Sequence, residues 1–311
     1  MVATGSVPTM PPIEGLEEVE PWTSREGTSS NEVPASLAVV GGGAVGCELA
    51  QFYSRLGAHV TIVQSGDHIL PRVDRDAGDL LGEAFREEGI ELCLDARARK
   101  VEGGPGAYRL ELEGREPIES THLMIATGRK SNVEGFGLEN LDVEVGRRGI
   151  VTDERLAAGE HVWAAGDVTG VSLFTHVGKY QGRIAAANVA GHERVANYDA
   201  IPAAVFTDPQ VASVGDTSRE GVAVASWGVD KVSRTSTFQD PKAPGFVKLF
   251  ADRERRVLVG GVAVGPEAGE WIGQITLAVR AQVPVETLRD TIQPFPTFSE
   301  SIYFAARDLD L

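Results

Sequence analysis

The sequence predicts an α/β fold followed by a separate α+β domain, and three observations carry that prediction. A buried-strand run, Ala38-Val39-Val40, breaks into Gly41-Gly42-Gly43 and continues with helical periodicity to about residue 56. A β-branched run at 59–63 follows that helix after Gly57, as a strand-helix-strand unit requires. From about residue 197 the order changes to short strands followed by a helix, which marks a second kind of domain.

With 311 residues and 42% hydrophobic content, the chain can bury two compact domains or three small ones. Its net charge of -16 argues against a nucleic-acid partner and against an anionic membrane surface. The acidic residues are dispersed and read as a solvated face. No apolar run approaches the roughly 18 residues of a membrane span. Met1-Val2-Ala3-Thr4-Gly5 lacks the basic start of a signal peptide, so a cytoplasmic protein with no membrane partner is expected. Cys47 and Cys93 read as core thiols whose separation fits neither a redox pair nor a zinc site, and the six histidines are scattered, so no metal site is predicted.

Residues 2–33 read as a strand end, Val2-Ala3-Thr4-Gly5-Ser6, and then an extended connection through Pro8, Pro11, Pro12 and Pro21. A chain that starts on a strand end suggests that something once lay upstream. Within 34–127, Gly41, Gly43 and Gly46 make the G-x-G-x-x-G spacing of a Rossmann-like dinucleotide unit. The first glycine allows the tight turn, the second lets a pyrophosphate approach the backbone, and the third lets helix and strand pack closely. The phosphates would sit on free amides where the helix begins, at Ala44 and Val45. The bland alternative is a turn and nothing more. A helix follows with Asp74 as N-cap and Leu80, Leu81, Ala84 and Phe85 on one face, stopped at Gly89. A strand over 90–94, a hairpin of 100–102 with 108–112 around the turn 103–106, and a strand over 122–126 complete the segment.

A second dinucleotide-type element spans 161–168, a strand ending in Gly166-Asp167. The glycine lets a ligand approach and the carboxylate accepts a ribose or ribityl hydroxyl; alternatively the aspartate only caps a strand end. A helix over 175–189 comes next. Strands over 204–207, 246–250 and 258–264 and a helix over 267–280 define the last domain.

In order along the chain, Val-Ala-Thr-Gly at 2–5, the fingerprint at 41–46 with Glu48, Ile-Ala-Thr-Gly-Arg at 125–129, Gly166-Asp167, Phe206-Thr207-Asp208-Pro209 and Pro296-Thr297-Phe298-Ser299-Glu300 resemble the flavoprotein disulfide reductase family, the pyridine nucleotide-disulfide oxidoreductases. Dihydrolipoamide dehydrogenase, glutathione reductase and mercuric reductase belong to it. The resemblance implies an NAD(P)-binding domain at 34–127, a partial FAD-type domain at 1–33 and 128–195, and an interface, or dimerisation, domain at 196–311. It also implies that the family's opening FAD half, with the fingerprint for the ADP part of FAD and the C-x-x-x-x-C pair, is missing from this chain. The cofactor positions it carries over are Gly41, Gly43, Ala44, Val45, Gly46, Glu48, Gln64, Thr127, Gly128, Gly166, Asp167 and Thr175.

Two departures from the family follow. The His-Pro-Thr-x-Ser-Glu acid/base motif stands here as Phe295-Pro296-Thr297-Phe298-Ser299-Glu300, and phenylalanine carries no proton, so Glu300 has no imidazole to orient and reads as structural. Residues 216–221 look short for the helix the family places there. At the ribose-reading position, Gln64 can bind a hydroxyl but cannot neutralise a 2'-phosphate, and Asp67 would repel one, so NAD(H) is favoured over NADP(H). Ala44 stands where some relatives have a tyrosine gate, which leaves the nicotinamide pocket open.

Three readings of function stay in play. One is an FAD-dependent NAD(P)H oxidoreductase without the redox cysteine pair, passing hydride to a small-molecule substrate such as a quinone, with Asp167 on the ribityl chain. Another is a reductase scaffold repurposed without flavin as a non-redox enzyme or binding module. The last is a misplaced start or a fragment. A homodimer is expected in either of the first two, with Phe295, Phe298, Ile302, Tyr303 and Phe304 suited to a buried contact or to the chain's own core.

Overall fold

The computed structural model describes residues 1–237 and 244–311. Two compact units make it up: Met1–Met10 with Gly128–Tyr198, and Pro11–Thr127 with Asp199–Leu311.

The chain opens with a short strand of the first unit, β1 (Ser6–Pro8), and then enters the second. The sequence predicts an extended connection through the prolines of residues 2–33. Here residues 11–33 belong to the second unit and contain a helix, α1 (Ser24–Ser29). Apolar side chains anchor them: Ile13 and Leu16 are buried, Trp22 bridges in parallel to Met124, and the Tyr53 hydroxyl donates to the Gly27 carbonyl. A capping box starts α1, with the Thr23 hydroxyl accepting from the Arg25 amide and the Glu26 carboxylate accepting from the Thr23 amide.

A Rossmann-like arrangement follows: β2 (Ser36–Val40), α2 (Ala44–Arg55), β3 (His59–Val63), α3 (Arg75–Glu87), β4 (Glu91–Cys93). An antiparallel meander, β5 (Ala98–Gly104), β6 (Ala107–Leu112) and β7 (Arg115–Ser120), leads to β8 (His122–Ile125). The parallel sheet runs β4-β3-β2-β8, with Val40 level with Val63 on one side and Ile125 on the other. Four of the five β2 residues are buried, as a strand covered on both faces requires. Asp74 caps α3 by accepting from the Asp76 amide. Cys47 is fully buried, whereas Cys93 lies half-buried on the edge strand with its sulfur accepting from Arg115, so only one of the two cysteines is a core thiol.

The first unit resumes with β9 (Arg129–Ser131), which pairs antiparallel with β1 so that Ser6 faces Ser131 and Pro8 faces Arg129. Two small ribbons follow, β10 (Val145–Gly146) with β11 (Gly149–Ile150) and β12 (Ala157–Gly159) with β13 (Val162–Trp163). The strand expected over 161–168 is cut to Val162–Trp163. Ala164 still bridges to Val2, but Gly166 turns the chain at φ 85° and ψ -158°, a conformation only glycine adopts easily. Helix α4 (Thr175–Val189) closes this segment.

The C-terminal part of the second unit is an antiparallel sheet of β14 (Pro202–Val205), β15 (Gln210–Gly215), β16 (Ala223–Gly228), β17 (Phe246–Asp252) and β18 (Val257–Gly265), in the order β14-β15-β18-β17-β16. Helices α5 (Ala268–Ala281), α6 (Val285–Asp290) and α7 (Glu300–Arg307) supply the rest of its core. Residues 216–221 form no helix; the Asp216 carboxylate accepts from the Ser218 amide instead. Lys248 on β17 ties this sheet to the start of α3 through Asp74 at 2.9 Å and Asp76 at 2.8 Å.

Candidate functional site

The glycine turn between β2 and α2 shows why each glycine is needed. Gly41 has φ 112°, and a Cβ there would lie 2.5 Å from the Ala126 carbonyl oxygen. At Gly46 the added carbon would lie 1.9 Å from the Gly41 carbonyl oxygen, so this glycine lets the first turn of α2 press against the loop. Gly43 differs: its φ is -81°, and a Cβ would meet nothing within 4 Å. Ala44 and Val45 open α2, whose N-terminal end has no side-chain cap. Uncapped amides at the positive end of a twelve-residue helix, beside an open glycine face, fit a pyrophosphate.

Gln64 does not extend toward solvent. It is 8% exposed, and its Oε1 accepts from the Gly42 amide at 2.9 Å, which braces the glycine turn from below. The Gly42 carbonyl accepts from the Leu70 amide and from the Cys47 thiol. Burial, with the Glu48 charge adding to it, pushes the Cys47 thiol far above its ordinary range. Beyond Gln64, the exposed Asp67 carboxylate is pushed down to about 2 by hydrogen bonds from His68 and Arg75.

One face of α2 holds the Phe206-Thr207-Asp208-Pro209 loop. Glu48 Oε1 accepts from the Phe206 amide at 2.8 Å, Gln51 exchanges two hydrogen bonds with the Asp208 backbone, and Arg55 binds the Asp208 carboxylate at 2.8 Å. Burial raises the Glu48 carboxyl above the usual carboxylate range, against the pull of the Phe206 amide. Thr127 is exposed at the end of β8, its backbone nitrogen 3.0 Å from the position a Gly41 Cβ would take.

In the first unit the Gly166-Asp167 turn is held from several sides. The Gly166 amide donates to Oε1 of Gln181 at 2.7 Å. Gln181 is fully buried and donates in turn to the hydroxyls of Thr169 and Tyr198. Ser131 donates to the Asp167 carbonyl and Ser6 to the Asp167 carboxylate. Nothing lies within 4 Å of a Cβ placed on Gly166, so a ligand can approach the backbone there. That open face and the carboxylate fit the hydroxylated chain of a flavin or a ribose. Gly128 (φ 124°) and Thr175, the first residue of α4, are both exposed in this unit.

The family acid/base segment carries no such geometry. Phe295 is 73% exposed, and Glu300 accepts from the Thr297 amide. Phe298 and Ile302 are buried in the chain's own core, and Phe304 packs on it.

Sequence reasoning missed Ser6, Gln51, Arg55 and Gln181. The i, i+3, i+7 spacing of Glu48, Gln51 and Arg55 marks one helical face and could have found two of them. The family model for pyridine nucleotide-disulphide oxidoreductases matches residues 1–193, and the model for that family's dimerisation domain matches residues 201–306. A mercuric reductase from Acidithiobacillus ferrooxidans is 38% identical over 99% of this chain and 57% of its own length. A dihydrolipoyl dehydrogenase from Thermus scotoductus is 35% identical over 99% of this chain and 69% of its own. Among solved structures, LpdA from Mycobacterium tuberculosis superposes with a TM-score of 0.86 at 32% identity, covering 98% of this chain and 68% of that one. The HOCl-induced flavoprotein disulfide reductase RclA from Escherichia coli gives 0.87 at 27%, covering 98% and 72%. The chain therefore belongs to the pyridine nucleotide-disulphide oxidoreductase family. It spans 57% of the length of that mercuric reductase.

Proposed function

We propose that this chain carries the nucleotide-binding and dimerising parts of an FAD-dependent NAD(P)H oxidoreductase acting on a small-molecule acceptor such as a quinone. The observation that carries the reading is Gly43, where an added Cβ would meet nothing within 4 Å, whereas at Gly41 and Gly46 it would run into backbone. The pyrophosphate of the nicotinamide nucleotide lies against Gly43 and the amides of Ala44 and Val45. NAD(H) is favoured, because Gln64 is committed to the Gly42 amide and Asp67 keeps its negative charge, so neither can neutralise a 2'-phosphate.

Asp167 accepts a ribityl or ribose hydroxyl beside Gly166. A bound flavin supplies hydride acceptance from the reduced nicotinamide and electron transfer onward. A small acceptor is favoured over a disulfide relay through this chain's cysteines, since Cys47 is buried under the glycine turn and Cys93 is bound to Arg115 on an edge strand. Two copies associate through the domain at 201–306.

The exposed Phe295, in place of the family's proton carrier, favours a second reading: a scaffold that binds nucleotide without flavin. Calorimetric titration with NADH separates structure from binding. Gly43→Ala is expected to keep the wild-type urea midpoint while weakening NADH at least about tenfold, because the new methyl occupies the phosphate's place. An unchanged affinity would refute the site. Purified protein that binds NADH but shows no visible flavin absorbance, and takes up no added FAD, would select the second reading.

A further inference from the structure

The two-stranded ribbon of β1 and β9 gathers polar side chains on one face. Ser6 lies opposite Ser131, and Arg129, two residues earlier on β9, shares that face. Ser131 Oγ donates to the Asp167 carbonyl at 2.7 Å and Ser6 Oγ donates to Asp167 Oδ2 at 2.6 Å. Behind Ser6, Arg129 Nε donates to the same hydroxyl at 2.7 Å and Nη2 reaches the Ser6 carbonyl at 2.6 Å.

Chemistry fixes the direction of this relay. A guanidinium only donates and an ionised carboxylate only accepts, so the hydroxyl between them takes from the first and gives to the second. Ser6 thus engages one carboxylate oxygen. The other, Oδ1, accepts no hydrogen bond from the described residues, and it belongs to the residue next to the open face of Gly166. An acceptor-only oxygen held in one orientation asks for an O–H donor and repels a phosphate.

We propose that Ser6, backed by Arg129, is a positioning residue that fixes Asp167 Oδ1 for ligand hydroxyls, and so makes this unit selective for the polyhydroxylated chain of a flavin rather than its ring. The inference rests on the reading that Asp167 receives a ribityl or ribose hydroxyl. Nothing local in the sequence connects Ser6 with Asp167; the β1–β9 ladder does.

Fluorescence-quenching titrations of the full chain with riboflavin, which carries the ribityl hydroxyls, and lumiflavin, which has the same ring and a methyl in place of the chain, test it. The wild type is expected to prefer riboflavin. Ser6→Ala should cut that preference about tenfold, the scale of one hydrogen bond to a charged group, and leave lumiflavin affinity unchanged. Ser6→Thr, which keeps a hydroxyl, should restore it. A preference that survives Ser6→Ala, or a variant that loses both flavins alike, overturns this inference alone. A wild type that binds neither flavin, or binds both equally, overturns the reading of Asp167 and this inference with it.

Discussion

A methyl group added at Gly46 would lie 1.9 Å from the Gly41 carbonyl oxygen, where the same group on Gly43 meets nothing within 4 Å. Gly46→Ala therefore has to push α2 off β2 and is expected to cost about 2 kcal/mol, read as a lower urea midpoint. A midpoint matching that of Gly43→Ala would contradict the packing described for this turn. Activity lost in Gly46→Ala thus says little about nucleotide binding, and Gly43 is the position to test. The glycine spacing was legible because backbone sterics leave a local signature. The role of Gln64 was not, because only the buried Gly42 amide decides that its side chain turns inward, and the spacing of twenty-two residues between them encodes no direction. Ser6 and Asp167 were harder still, since their contact crosses most of the first unit's sequence.

Helix α1 depends on Thr23, which caps it and also donates through its hydroxyl to the Glu26 carboxylate at 2.6 Å. Thr23→Ala is expected to cost about 1 kcal/mol at neutral pH. The Thr23 hydroxyl, and then its amide, hold the Glu26 carboxyl below its usual range. A depressed carboxylate stabilises the fold above its unfolded value, about 4.3, and loses that contribution as pH falls through the folded value. The gap between wild type and Thr23→Ala in urea should accordingly narrow below about pH 4.3; a gap that widens on acidification would contradict the capping box. The Thr-x-x-Glu signature was present in the sequence, but the prolines around it drew the segment toward an extended reading. Elements with strong period, such as β2, β3, α3 and α4, were legible within a residue or two. Strands β7, β15 and β16 were not, since Arg115-Glu116-Pro117 and the Ser-, Ala- and Gly-rich β15 and β16 draw their order from neighbouring strands rather than their own propensity.

Leu277, Ile292 and Phe295 remain 66%, 95% and 73% exposed in the region that matches a dimerisation domain. A second copy of the chain would cover such side chains. Each copy brings a charge of -16, so the two repel at low ionic strength. Added salt should tighten the dimer by analytical ultracentrifugation, and Leu277→Glu with Ile292→Glu should leave a monomer at the same salt. A dimer that loosens in salt would point to ion pairs instead. The order of segments also bears on how the chain is made. Ser6 cannot meet Ser131, nor Val2 meet Ala164, until the ribosome has finished everything from Pro11 to Thr127, and that intervening stretch waits for Asp199–Leu311 to complete its own unit. At about 5–20 residues per second, β1 spends on the order of ten seconds outside the ribosome without a partner strand. While residues 11–127 are being made, β1 is an unpaired strand edge on the nascent chain, and co-translational chaperones are suited to guard it over that interval.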